Sequence, residues 1–163
     1  MPGDGRKFGY ARDYVARTAA RILVAVALVF GAAACGDDSN DEFKDQYNEA
    51  VRPLSSLGDD IGDSLSGAEG QSNQALGAQF DKLADRADRT RQNLSELEPP
   101  DDARDQFDAL LAALKRAVGD LRAVGESARE GDPTEAAEAT QELVESGQRV
   151  QEAEADFKDA VEG

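Results

Sequence analysis

Between residues 43 and 161, apolar or small side chains recur at alternating steps of three and four, and the pattern repeats over four successive segments. That spacing gathers side chains on one face of an α-helix but on neither face of a strand, so it confines the chain to helical architectures. The first stripe is Phe43, Tyr47, Ala50, Leu54, Leu57, Ile61 and Leu65, and the second Leu76, Phe80, Leu83, Ala87, Thr90, Leu94 and Leu97. The third runs through Ala103, Phe107, Leu110, Leu114, Ala117, Leu121, Val124 and Ala128. The fourth runs through Ala136, Thr140, Leu143, Gly147, Val150, Glu154, Phe157 and Val161. Each stripe predicts an amphipathic helix of about 25 to 30 residues, ~40 Å long at the helical rise. Pro53 falls inside the first stripe, where its missing N–H predicts a kink or a fresh start near Arg52.

The breaks are short. They read SGAEGQS at residues 66–72, EPP at 98–100 and EGDPT at 130–134. In the last, Gly131 suits a helix C-cap, Asp132 an N-cap, Pro133 the first helical position and Glu135 the third. Loops this short set successive helices side by side and antiparallel. The predicted fold is therefore all-α, an up-down-up-down four-helix bundle over residues 42–163, with a three-helix bundle and a loose first helix as the alternative. That topology puts Phe43, Tyr47, Phe107 and Phe157 in one layer at the end where the first helix begins. The opposite end is built around Gly58, Gly62, Gly67, Gly70, Ala128 and Ala136, and the many Ala and Gly residues of the seams predict close helix approach rather than a roomy cavity.

A different composition precedes the stripes. Arg6, Lys7, Arg12, Arg17 and Arg21 make a basic opening, ILVAVALVF at residues 22–30 an apolar run, and GAAA its small-residue end, which is the order of a secretory signal peptide over residues 1–34. The uncharged run from 22 to 34 is 13 residues, short of the ~20 that span a bilayer. Then come AAAC at residues 32–35 and the chain's single cysteine. These residues resemble the lipobox of bacterial lipoproteins, in which small residues precede an invariant cysteine; Ala32 stands where that family most often has Leu. The resemblance implies that the Cys35 thiol receives a diacylglycerol and that signal peptidase II cuts between Ala34 and Cys35. The mature chain then begins at an acylated cysteine, held by membrane lipid and facing the extracytoplasmic side of the cell membrane. Two or more acyl chains, each worth ~0.8 kcal/mol per buried methylene, anchor stably where one binds marginally. Residues 35–41 are read as this lipidated cysteine and a flexible acidic tether, because GDDSNDE at 36–42 has nothing apolar to bury. It also lacks the glycine and the distant glutamate of an EF-hand loop, so no metal ligand is assigned.

Composition then narrows function. The 163 residues include no histidine, which removes the commonest general base, the commonest metal ligand and the di-iron and c-type haem sites of other bundles. From residue 35 onward there are 13 basic and 32 acidic side chains, a balance that repels nucleic acid and leaves cations or a basic protein surface as charged partners. No catalytic residue and no cofactor is assigned. Tyr47 is read as core. Glu154, at a nominal core position, is read as a boundary residue with its carboxylate turned toward water. Richness in Ala, Asp and Arg with little Lys resembles the helical lipoproteins of GC-rich bacteria. The expected function is a lipid-anchored, non-enzymatic structural or protein-interaction module with a possible envelope protein partner; the alternative is an extracytoplasmic binding module for a small ligand or cations.

Overall fold

A computed structural model describes residues 38–162 with the exception of Glu69, and all regular structure among them is helical. The helices are α1 (Asp38–Val51), α2 (Leu57–Ser66), α3 (Asn73–Ser95), α4 (Arg104–Glu130) and α5 (Pro133–Glu162). α1 and α2 form one broken rod, and with α3, α4 and α5 they make the expected all-α four-helix bundle. The first rod is not loose. Phe43 and Tyr47 are buried in the common core, so the three-helix alternative falls away.

The break in that rod is where Pro53 demands it. Arg52–Leu54 tightens into a 3₁₀ turn, in which the Ser55 N–H and hydroxyl both donate to the Arg52 carbonyl, at 3.3 and 2.7 Å. Leu54 and Leu57 stay buried on either side, so the apolar stripe continues although the helix does not. Across the break, Arg86 of α3 donates to the Asp60 carboxylate at 2.6 Å and ties α2 to its neighbour. One boundary differs from expectation. α1 starts at Asp38, inside the stretch read as flexible tether up to residue 41. Asp41 and Glu42 stand near that start, and carboxylates are favoured near the positive end of a helix dipole, so a segment with no apolar residue of its own is helical.

The turn between α4 and α5 has the chemistry its sequence specifies. Gly131 adopts φ +74°, donating its N–H to the Ser127 carbonyl at 3.0 Å, and only glycine takes that conformation without strain. One residue on, the Asp132 carboxylate accepts the N–H groups of Thr134 and Glu135 at 2.8 and 3.2 Å, and Pro133 opens α5.

Two features organise the core. At one end Phe43, Phe107 and Phe157 share a layer, with ring centroids 6.0 Å (Phe43 to Phe107), 6.0 Å (Phe43 to Phe157) and 5.2 Å (Phe107 to Phe157) apart, and Tyr47 stands 5.1 Å from Phe157. This is the layer that antiparallel topology requires. Toward the other end α3 and α4 come into backbone contact, since a Cβ on Gly77 would lie 2.7 Å from the Gly125 carbonyl oxygen and 2.6 Å from Cγ of Arg129. The Arg129–Asp81 ion pair clamps the same crossing. That glycine-rich end is tight on its α3–α4 side.

The bundle is uneven. α4 runs closely along both α3 and α5, and the first rod rests mainly on α3. Its closure against α5 is made by side chains, above all Phe43 and Tyr47 on Phe157. Beyond Pro53 no aromatic bridges the gap, and a space remains between α2 and α5.

Candidate functional site

That space is an apolar cavity of about 110 Å³. α2 contributes Leu57, Ile61 and Leu65 to its walls, α4 contributes Leu114 and Leu121, and α5 contributes Leu143, Val144 and Val150. Tyr47 and Glu154 close the end nearest the aromatic layer. Neighbouring hydroxyls do not make the walls polar. Thr140 donates to the Ala136 carbonyl at 2.7 Å and the buried Ser146 to that of Leu143 at 3.1 Å, so each is satisfied within its own helix. An enclosed apolar cavity of ~150 Å³ takes benzene, and this partly open one, of comparable volume and lining, suits a small hydrocarbon body.

Glycine makes the room. Gly62 and Gly147 line the cavity from opposite sides, and a Cβ at either would meet nothing within 4 Å. Inside a helix glycine is about 1 kcal/mol less favourable than alanine, and neither position has a packing reason to bear that. The expectation of close helix approach is therefore met where Gly77 faces Gly125 and overturned where Gly62 and Gly147 leave a void.

Glu154 is a second correction. It is only 8% exposed, and its Oε1 accepts from Lys158 Nζ at 2.9 Å. Read as a boundary residue turned toward water, the carboxylate is instead in the cavity wall. It lies one turn before Phe157 on the inward stripe, and the flexible lysine four residues on reaches back to compensate its charge.

The Tyr47 phenol is held well above its ordinary pKa of 10.0, first by burial and then by the negative charge of Glu154. Because the fold favours the neutral phenol, this contribution to stability is complete below about pH 10 and is lost as pH rises beyond it. Urea titrations are expected to show a loss above about pH 10 in the wild type that Tyr47→Phe reduces. Equal alkaline slopes in the two proteins would contradict a buried phenol beside a charged carboxylate.

Outside the cavity the surface is acidic and cross-braced. Arg122 of α4 lies 3.7 Å from both Asp85 and Asp88 of α3, and the Asp88 carboxyl is held below its usual range chiefly by the hydrogen bond from Arg91. At the α4–α5 turn the Glu135 carboxyl is raised, first by its hydrogen bond with Glu130 and then by the charges around it. Among the described residues no three His, Cys, Asp or Glu side chains are grouped to hold a metal ion, and no helix is long and apolar enough to cross a membrane. Ala34 and Cys35, the cleavage and lipidation residues read from the sequence, lie outside the described residues, as does the whole signal-peptide segment 1–34.

Sequence reasoning named Tyr47 and Glu154 and placed Gly147 on a stripe, but it did not join them into one site. The available signal was the coincidence of a glycine and an acid on the inward face of a single helix. Comparison with protein-family models, curated proteins and solved structures gives no match.

Proposed function

We propose that this chain is a bacterial lipoprotein whose helical domain works outside the cytoplasm as a non-enzymatic binding module, taking a small apolar molecule between α2 and α5. The observation that carries the binding part is the cavity itself, apolar along its walls and kept open by Gly62 and Gly147. The anchoring part rests on the sequence AAAC at residues 32–35 after a basic and then an apolar segment. Acylation of Cys35 would hold the module at the membrane surface, where apolar molecules concentrate.

Fractionation tests the anchor. Wild-type protein should stay with membranes through a high-salt wash, because acyl chains do not depend on charge, whereas Cys35→Ser should be released or accumulate as uncleaved precursor. Recovery of both proteins in the soluble fraction would remove the lipoprotein reading.

A second reading has its own support. The exposed faces are dense in carboxylates, with Glu130, Asp132 and Glu135 crowded at one turn, and such a surface suits docking of a basic envelope protein. Capture of one specific basic protein from solubilised envelopes, weakening with salt and indifferent to filling of the cavity, would favour it.

A further inference from the structure

The cavity has two ends of different chemistry. Along α2 and α5 it is lined by hydrocarbon apart from Thr140, whose hydroxyl is engaged with the Ala136 carbonyl, whereas the end beside the aromatic layer holds the Glu154 carboxylate and the Tyr47 hydroxyl. The carboxylate accepts from Lys158 Nζ through Oε1 at 2.9 Å; that side chain is 24% exposed and flexible, so its ammonium can turn out to water and leave the carboxylate to a donor on the ligand. A ligand's own carboxylate there would have to share the one Lys158 ammonium with Glu154, leaving a net negative charge in the wall, which is unfavourable. An uncharged head would gain one ordinary hydrogen bond. An ammonium head would take the place of Lys158 in a charge-assisted one, returning the lysine to water, and would approach through the field of a chain with 32 acidic against 13 basic side chains from residue 35 onward.

Resting on the apolar-binding reading above, we propose that the cavity selects a small apolar amine, its hydrocarbon body between α2 and α5 and its ammonium group on the carboxylate of Glu154. The acidic charge and the one carboxylate in the cavity lining decide the head group, and the glycine-lined void decides the size of the body.

The full chain in phosphatidylcholine nanodiscs is melted by circular dichroism with hexylammonium, hexanol, hexanoate or tetramethylammonium at one common concentration below micelle formation. Hexylammonium should raise the wild-type Tm by roughly 3 °C or more, about twice the effect of hexanol, with little from hexanoate or tetramethylammonium. Gly147→Leu, and independently Gly62→Leu, should abolish both responses while melting at or above the wild-type temperature. Glu154→Gln should bring the hexylammonium response down to that of hexanol. Equal or greater stabilisation by hexanol in the wild type would overturn the role of Glu154 and leave the apolar-binding reading standing. No response to any of the four would overturn that reading as well. A tetramethylammonium effect equal to that of hexylammonium would assign the shift to general charge screening, and a dimer lost on Gly147→Leu would put a second copy in the groove; either result defeats the proposal.

Discussion

Phe157→Ala should lower the stability of the bundle by about 3–5 kcal/mol, the usual range for removing a buried phenylalanine. The ring is fully buried, and its partners come from α1 and α4, with centroids 6.0 Å from Phe43, 5.1 Å from Tyr47 and 5.2 Å from Phe107. Truncation therefore strips contacts from two other rods at once. The hole cannot close by a small shift of α5, since that helix is held closely along α4. Domains of this kind are stable by only ~5–15 kcal/mol, so the variant should melt tens of degrees lower or be largely unfolded. Phe157→Leu keeps much of the volume and should lose less than half as much. Urea melts followed by circular dichroism measure both, and a loss below about 1 kcal/mol for Phe157→Ala would show that the aromatic layer is not the principal core.

The second large effect is a contrast of sign between two identical substitutions. Gly77→Leu must push a side chain into a place where even a Cβ would sit 2.7 Å from the Gly125 carbonyl and 2.6 Å from Cγ of Arg129. Separating α3 from α4 there also pulls Arg129 off Asp81, and overpacking of this kind removes about 1–3 kcal/mol, more when backbone is the obstacle. Gly147→Leu instead points into open space between apolar walls. It gains about 1 kcal/mol in helix propensity and buries new hydrocarbon besides, so its Tm should rise as that of Gly77→Leu falls. Shifts of the same sign in the two variants would mean that the two glycines do not occupy the opposite environments described.

What the sequence could and could not reveal follows from the kind of information each signal carries. Apolar spacing specifies which face of a helix points inward. Short loops specify that neighbours run antiparallel, and from these two facts alone Phe43, Phe107 and Phe157 had to meet. The turn at residues 130–134 was readable because Gly131, Asp132 and Pro133 each act within a few residues of themselves. Distances between faces are another matter. Gly77 and Gly147 look alike in the sequence, yet one admits a neighbouring backbone and the other leaves a void, because the outcome depends on what the partner helix carries at that height. Glu154 was misread for a related reason: its burial requires a lysine four residues on with enough length to reach it. The start of α1 at Asp38 was missed because a segment without apolar residues gives no periodic signal. Cys35 and the cleavage bond are legible only as a resemblance, and they lie outside the described residues.

The aromatic layer has a topological consequence. Phe43 lies near the start of α1 and Phe157 near the end of α5, and their rings are 6.0 Å apart. The described backbone thus leaves and returns at one pole, so that its path is nearly a closed circuit. A short peptide joining the two ends would complete that circuit, and a cut in the turn before α3 would give a circular permutant in which every helix keeps its neighbours. In such a chain α3 would be made first and α2 last. The cavity would then be walled by the first-formed helices before α2 arrived to cover it.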